Sequence, residues 1–336
     1  MPGHTTPRLA RWIAGLALCW GCLLLIGCAN SPVVLDSSAH VQLPTSHTLS
    51  DIPHFPQLED QCGPASLATM LTAQGITVTP EELSAKVYIP DKQCSLTTEM
   101  VARARRYGML VYPLQNDLVD VLTEISGGNP VLVLQNLGLR WLPRWHFSVV
   151  IGYDLTQSSV TLRTGEHRAY TVDMQLFQKT WQRADRWAVV ISNPRALPKT
   201  AEASRYLKSA SELELVGEAQ AAHIAYQTAI RQWPENALAY FGAGNTAYAL
   251  EHYQQASDFF AEYIKRHPTS AAAWNNLAYS VLKRDCHDEA VTAIACALQL
   301  SPAHTELSQS QAEISVAAKP SGPRLSCSIP QCPAIE

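Results

Sequence analysis

A period of 34 residues constrains the second half of this 336-residue chain more than any other feature. Pro234, Pro268 and Pro302 stand at this spacing, in a stretch from residue 200 to residue 304 that is rich in alanine and tyrosine. Alignment on these prolines gives one column of small residues and two of large ones: Ala222, Ala256 and Ala290; Tyr226, Phe260 and Ile294; Tyr206, Tyr240 and Trp274. Small residues let paired helices approach closely, and large residues fill the space between turns. The pattern therefore predicts a stack of helical hairpins.

Thirty-four residues is also the length of the tetratricopeptide repeat, which this pattern resembles. We expect three repeats, at residues 203–236, 237–270 and 271–304, in an all-α solenoid. Residues 305–316 are predicted to form a capping helix, and residues 317–336 are predicted to be disordered. The concave face of such a solenoid is expected to bind a protein partner or the substrate chain.

The chain begins with the features of a secretory leader. Residues 1–11 carry Arg8 and Arg11 but no acid, and an apolar run extends from Trp12 to Ile26. This run is short for a transmembrane helix but fits a signal peptide. It ends in Leu25-Ile26-Gly27-Cys28, which resembles the bacterial lipobox. Residues 1–27 are therefore predicted to be a lipoprotein signal peptide, with Cys28 as the lipidation site.

Lipidation of Cys28 implies a membrane anchor, since more than one acyl chain gives stable attachment to a bilayer. Ala29 and Asn30 follow it, and by resemblance to Gram-negative sorting rules they favour the outer membrane, facing the periplasm. Residues 28–50 are rich in Ser, Pro, Thr and His without periodicity, which predicts a flexible tether. The localisation predicted from the sequence is thus the cell envelope.

Charge and cysteine spacing exclude several classes of ligand. The formal net charge is −4 and the pI is about 6.3, so no nucleic-acid partner is expected. The cysteine spacings are not typical of a zinc site, and neither a metal nor another cofactor is predicted. In an oxidising compartment, Cys327 and Cys332 are the predicted disulfide pair. Cys286 and Cys296 lie about ten residues, or ~15 Å, apart on one predicted helix, too far to bond to each other.

Residues 51–197 are predicted to form an α+β domain. Apolar spacing indicates helices at residues 62–74, 97–107 and 116–126, and Thr79 followed by Pro80 indicates the start of another. Short β-rich runs follow at residues 130–135, 146–153, 160–163 and 187–191. Helices followed by an antiparallel sheet are the order of an α+β fold.

Cys62 and His146 are the candidate chemical groups of this domain. Cys62 stands directly at a predicted helix start, where the partial positive charge and free N–H groups lower a thiol pKa and can hold an oxyanion. Gly63 and Pro64 suit such a first turn. His146 begins a predicted strand, a rigid position for an imidazole that exchanges protons with a thiol.

Two segments carry a resemblance to a known family. The segment Gln57-Leu-Glu-Asp-Gln-Cys62-Gly-Pro-Ala-Ser-Leu-Ala resembles the nucleophile motif of the bacteriocin-processing, double-glycine-leader cysteine peptidases, which are papain-like in fold. The segment His146-Phe-Ser-Val-Val-Ile-Gly-Tyr-Asp154 resembles the histidine strand of that family. The resemblance covers residues 51–165 and implies a papain-like cysteine peptidase domain with a protein or peptide substrate.

The resemblance also implies two further site residues. A Gln before the Cys completes the oxyanion hole in the family; Gln57 is the first candidate here and Gln61 the second. The family has an Asp on the strand after the histidine strand, and Thr164 takes its place in this chain. A threonine hydroxyl can orient an imidazole but cannot stabilise imidazolium by charge, so Asp154 and Glu166 are considered as substitutes.

This departure from the family leaves more than one function open. The first is a membrane-anchored cysteine peptidase that hydrolyses peptide bonds through a Cys–His pair. The second is a catalytically weak or inactive peptidase-like domain that acts as an envelope scaffold or peptide-binding module. A third, acyl transfer by the same pair to an amine, uses the same residues as the first.

Overall fold

The computed structural model describes residues 43–57, 61–89, 94–317 and 326–334. The predicted signal peptide, the lipidation site Cys28 and residues 28–42 of the predicted tether lie outside these ranges. Within them, no helix is both long enough and apolar enough to cross a bilayer.

The α+β prediction for the N-terminal domain is confirmed, with an antiparallel sheet and helices beside it. The strands are β1 (Ser46–Thr48), β2 (Tyr88–Ile89), β3 (Cys94–Ser95), β4 (Leu110–Pro113), β5 (Val131–Asn136), β6 (Trp145–Asp154), β7 (Ser159–Thr164), β8 (His167–Asp173) and β9 (Ala188–Ser192). The helices are α1 (Cys62–Ala73), α2 (Pro80–Val87), α3 (Thr97–Arg106), α4 (Leu118–Ser126) and α5 (Met174–Gln182). The main sheet runs in the order β4-β9-β5-β6-β7-β8, while β2 and β3 form a separate pair.

Helix α1 packs on one face of the main sheet and positions the rest of the domain. Its buried residues Leu67, Met70 and Leu71 form one apolar cluster with Phe147 and Val149 of β6. Burial of a large aliphatic side chain contributes about 1.5–3 kcal/mol, so this contact fixes the helix on the sheet. Alternation along β6 then directs His146 and Ser148 to the opposite face.

Local signals explain where several of these elements begin. Thr79 and Glu82 form a reciprocal capping box at the start of α2: the Glu82 amide donates to Thr79 Oγ1 at 3.3 Å, and the Thr79 amide donates to the Glu82 carboxylate at 3.2 Å. The predicted start of this helix, with Thr79 as cap and Pro80 first, is confirmed. Asp117 and Asp173 cap α4 and α5 by one bond each: their carboxylates accept from the Val119 and Leu176 amides.

The boundary between tether and domain differs from the prediction. Strand β1 pairs with the last residues of β6, so the prediction of a free tether up to residue 50 is wrong for residues 46–48. Gly152 permits this pairing, because a Cβ there would lie 2.7 Å from Thr48 Oγ1. The sequence of β1 is too short and polar to show alternation, which is why it was not predicted.

Three pairs of helices follow the α+β domain. They are α6 (Ala203–Leu215) with α7 (Ala219–Gln232), α8 (Ala237–Ala249) with α9 (Tyr253–Arg266), and α10 (Ala271–Leu282) with α11 (His287–Leu300). The predicted capping helix is α12 (Thr305–Ala317). Glycine makes room for the large-residue columns: a Cβ at Gly242 would lie 2.3 Å from the Tyr226 ring, and one at Gly244 would lie 2.7 Å from the Phe260 ring.

Hydrogen bonds join the first repeat to the α+β domain. The fully buried Glu124 carboxylate of α4 accepts from the Thr200 amide at 2.7 Å and the Thr200 hydroxyl at 2.6 Å. The Tyr112 hydroxyl of β4 donates to the Thr200 carbonyl at 2.9 Å, and the buried Tyr206 hydroxyl donates to the Pro194 carbonyl at 3.1 Å. Because these groups have little access to water, breaking any one of these bonds would leave a buried polar group unsatisfied.

The C-terminal segment corrects two predictions. Cys286 bonds to Cys327 and Cys296 bonds to Cys332, so the predicted Cys327–Cys332 pair is wrong. Disorder of the whole tail is wrong for residues 326–334, which these bonds hold against α11. The spacing of the cysteines explains this pairing. Cys286 and Cys296 are ten residues apart, which is about 15 Å along a helix, and Cys327 and Cys332 are five residues apart, which is about 16 Å in an extended segment.

We expect peptide mapping under non-reducing conditions to recover the Cys286–Cys327 and Cys296–Cys332 peptides. Replacing Cys296 and Cys332 together by Ala should lower the free energy of unfolding of the repeats by about 2–4 kcal/mol, because the bond closes a 36-residue loop. Urea denaturation followed by circular dichroism measures this loss. A peptide that joins Cys327 to Cys332 would contradict the arrangement.

Candidate active site

Cys62 is the first residue of α1 and is half-buried, with its sulfur outside the two disulfides. The helix start lies close to β3, since a Cβ at Gly63 would come within 2.3 Å of Ser95 Oγ. A glycine after Cys62 is therefore needed for this packing. The first turn of a helix has free N–H groups, which can stabilise a thiolate at this position.

Gln57 connects the segment before α1 to the sheet. Its backbone amide donates to the Gly165 carbonyl at 3.0 Å, and its side-chain Oε1 accepts from the Gly165 amide at 2.9 Å. Its Nε2 donates to Ser66 Oγ at 3.0 Å and lies 3.4 Å from the Phe147 carbonyl. In this structure the Gln57 amide therefore binds protein groups on both sides. Its predicted role toward an oxyanion stays a prediction, as does that of Gln61, which precedes α1.

His146 is the second residue of β6, and its Nε2 lies 2.6 Å from Thr164 Oγ1 at the end of β7. The structure thus brings together His146 and the residue that takes the place of the family's Asp. The other ring nitrogen, Nδ1, is the one left for a proton donor outside this pair.

Burial lowers the pKa of His146 to about 4, and the nearby Arg144 guanidinium adds to this effect. Both causes act against the charged ring, and the Thr164 hydroxyl offers no negative charge to offset them. The imidazole is therefore neutral at neutral pH, as a general base must be before it accepts a proton.

The acids considered as substitutes do not reach His146. Asp154 is eight residues further along β6, or about 26 Å at about 3.3 Å per residue. Its carboxylate accepts from the Thr156 amide and hydroxyl and from the Gln157 amide, which holds the β6–β7 turn and lowers its pKa. Asp154 as an orienting acid is therefore wrong. Glu166 lies exposed in the β7–β8 turn, and no bond from it to His146 occurs among the described residues.

One hydrogen bond joins the helix turn after Cys62 to the strand residue next to His146. Ser66, one helical turn after Cys62, donates to the carbonyl of Phe147 at 3.2 Å, and Phe147 is the neighbour of His146. The described residues do not form a complete Cys–His–acid triad. Ser66 was not predicted as a site residue, although its position four residues after Cys62 places it on the same helix face.

A cavity of about 240 Å³ lies on the His146 face of the sheet. Its lining combines apolar side chains with a row of polar ones: Leu137, Leu162, Tyr170, Val172 and Leu176, with Gln135, His146, Thr164 and Thr180. No group of three or more His, Cys, Asp or Glu residues that could hold a metal is found in the described ranges.

Replacing Thr164 by Asp should raise the pKa of His146 above about 4, by about 1–3 pH units, because a carboxylate at this distance favours imidazolium. A titration of the His146 ring by NMR measures the change. Thr164→Asn is the matched control, since it has the shape of Asp without the charge and should leave the pKa nearly unchanged. Equal values in the two variants would contradict the contact.

The family described as Peptidase_C39 like family matches residues 49–189, and the tetratricopeptide repeat family TPR_16 matches residues 207–270 and 241–304. No curated protein matches the chain. A C39-like peptidase from Bacillus anthracis is 20% identical, with a TM-score of 0.38, and covers 44% of this chain and 98% of its own.

Two further solved structures are similar to one part each. A double glycine motif protease from an AMS/PCAT transporter, solved with its leader peptide, is 18% identical over 45% of this chain and 97% of its own, with a TM-score of 0.33. MamA from Desulfovibrio magneticus RS-1 is 16% identical over 35% of this chain and 67% of its own, with a TM-score of 0.34. Because these scores are low, the assignment depends on the family matches. The chain therefore contains a C39-like peptidase domain followed by tetratricopeptide repeats.

Proposed function

We propose that this protein is a cysteine peptidase in which Cys62 is the nucleophile and His146 the base. The observation that carries the proposal is the His146–Thr164 contact of 2.6 Å, which holds a neutral imidazole by Nε2 at the end of the sheet that α1 contacts through Ser66. Thiol catalysis requires at least a neutral base and a thiol that can be stabilised as thiolate, and this domain carries one candidate for each.

In the proposed reaction, His146 Nδ1 takes the proton of the Cys62 thiol while the sulfur forms a bond to the substrate carbonyl carbon. The imidazolium then protonates the amine as the C–N bond breaks, which leaves an acyl-enzyme thioester. Water attacks the thioester, His146 accepts the proton of the water, and the thiol is regenerated with release of the acid. The Cys62 amide and the Gln57 side chain are the proposed oxyanion donors.

Thr164 in place of the family's Asp makes the imidazolium form of His146 less stable during the reaction. Imidazolium forms during the reaction, and without a carboxylate beside it the buried ring resists that charge. We therefore expect a slower enzyme than one with an acid at this position. Thr164 nevertheless fixes the orientation of the ring, which is the other function of an orienting residue.

The repeats are proposed to bind a protein partner or the substrate chain. A pocket of about 330 Å³ opens between α8, α9 and α10 and is lined by Asn245, Tyr248, Phe260, Asn276 and Tyr279. Asn276 Nδ2 donates to Asn245 Oδ1 at 3.0 Å, so a pair of amides stands among aromatic rings. Amides bind peptide backbone groups and rings bind side chains, a combination that suits an extended polypeptide.

The proposed location is the cell envelope, with the protein anchored by lipid on Cys28 to the outer membrane and facing the periplasm. The basic start, apolar run and small residue before Cys28 support the anchor. The two disulfides of the repeat region are consistent with folding in an oxidising compartment.

An epoxide- or iodoacetamide-type probe should label Cys62 rapidly in a Cys94→Ser chain with both disulfides intact. His146→Ala should slow this labelling about 100-fold, because removal of a general base typically costs at least that much. Mass spectrometry of products from a peptide library should show hydrolysed peptides that disappear in Cys62→Ser. His252→Ala, an exposed histidine of the repeats, is the control.

Labelling of Cys62 that does not depend on His146, together with no hydrolysis by the unaltered chain, would leave only the binding-module function. Products with an amine joined to the acyl group would instead identify acyl transfer.

The lipid anchor is tested by Cys28→Ala in the full-length chain. We expect this variant to leave the membrane fraction and the unaltered chain to remain in it, because the acyl chains provide the attachment. Fractionation followed by immunoblotting measures the distribution. An equal membrane fraction for both chains would contradict lipidation at Cys28.

A further inference from the structure

A chain of hydrogen bonds extends behind His146 into the domain. Thr164 Oγ1, which contacts His146 Nε2 at 2.6 Å, lies 3.2 Å from Ser148 Oγ. Ser148 Oγ lies 3.0 Å from Gln135 Oε1, and Gln135 Nε2 lies 2.7 Å from Thr180 Oγ1. The chain thus crosses from β7 to β6, β5 and α5.

Three members of this hydrogen-bond chain are shielded from water. Ser148 is 0% exposed, Gln135 4% and Thr180 6%. Buried hydroxyl and amide groups must satisfy one another, because an unpaired one costs about 1–3 kcal/mol. Each proton in the chain therefore has a defined acceptor.

Thr180 sets the direction of the chain. Its hydroxyl is 2.9 Å from the Phe177 carbonyl and 3.1 Å from the Leu176 carbonyl, and carbonyl groups can only accept. The single Thr180 proton is therefore used within α5, and Thr180 accepts from the Gln135 NH₂ group. This orientation of the amide turns Gln135 Oε1 toward Ser148.

The direction then passes to the imidazole. Because Gln135 Oε1 can only accept, the single Ser148 proton is donated to it, and Ser148 accepts from the Thr164 hydroxyl. Thr164 has then used its own proton and can only accept from His146 Nε2. The neutral ring must carry its proton on Nε2, which leaves a lone pair on Nδ1.

We propose that Ser148, Gln135 and Thr180 are positioning residues that act through Thr164 to hold His146 in the Nε2–H tautomer. This inference rests on the proposed function, since the Nδ1 lone pair is what would accept the Cys62 proton. A neutral chain that ends on helix carbonyls takes over one task of the missing acid, the choice of tautomer. It leaves the other task, stabilisation of imidazolium, undone.

The opposite direction is the competing possibility and makes the test sharp. If the Gln135 amide were reversed, Thr180 would donate to it, Thr164 would donate to His146 Nε2, and the ring would carry its proton on Nδ1. The two directions predict opposite protonation of the same two nitrogens. A ring without a directed chain would populate both tautomers.

The experiment is NMR of the full chain at neutral pH with ¹⁵N-labelled histidine, in which His146→Gln assigns the His146 signals. The nitrogen shifts should report a protonated Nε2 and an unprotonated Nδ1. Ser148→Ala and Thr180→Val should each shift His146 toward a mixture of tautomers, while Thr180→Ser, which keeps the hydroxyl, should restore the original signals.

Matched controls come from buried hydroxyls of the repeats. Ser280 donates to the carbonyl four residues earlier, as does Thr228, and both are remote from His146 in sequence and fold. Ser280→Ala and Thr228→Val should leave the His146 nitrogens unchanged. This comparison separates the effect of breaking the hydrogen-bond chain from the effect of a general loss of protein stability.

The same variants separate this inference from the proposed function. With hydrolysis present, Ser148→Ala and Thr180→Val should lower kcat/KM about 10- to 100-fold, by analogy with the loss of outer hydrogen-bond partners of metal-bound histidines. A protonated Nδ1, or shifts that do not move in either variant, would overturn the inference even if the enzyme is active. If the protein shows the expected tautomer but does not hydrolyse peptides, the inference stands and the proposed peptidase activity is rejected.

Discussion

The site depends on one joint, the Gln57 side chain between helix α1 and the sheet. Its two amide ends bind Gly165 at the end of β7 and Ser66 on α1, and Ser66 also reaches the carbonyl of Phe147. These contacts hold the start of the helix at the end of the sheet where His146 stands. Without them the apolar packing of α1 would still fix the helix on the sheet, but would leave its rotation less well defined. Polar groups with directional bonds supply that definition.

Patterns that repeat at short range were sufficient to predict much of the fold. The 34-residue period predicted the repeat helices, and Thr79-Pro80 predicted the start of α2. Strand β8 was missed because nearly all its residues are exposed and it lacks alternation. The disulfide prediction was wrong because the spacing of cysteines within a tail does not indicate which surface the tail packs against. In this case that surface is α11, which carries Cys296 and is preceded directly by Cys286.

The candidate site shows the same division. Cys62, His146 and Thr164 could be predicted from local motifs and a resemblance, and the structure places Thr164 against His146. Ser148, Gln135 and Thr180 could not, since they lie on three elements and become neighbours only when the sheet forms. Asp154 carries the charge that an orienting acid needs, but it lies at the opposite end of β6 from His146. At that distance its charge has little effect on the buried ring.

The bonds between Glu124, Tyr112 and residue Thr200 make the linker between the two domains part of the α+β core. A hinge needs a backbone that can rotate without breaking buried hydrogen bonds. Rotation of this segment would break the buried hydrogen bonds just described. The first repeat and the sheet must therefore melt together rather than in succession. By linkage, any molecule that binds the folded repeats also raises the thermal stability of the α+β domain, even without touching it. In calorimetry, a molecule bound to the repeats would therefore raise the unfolding temperature of both domains.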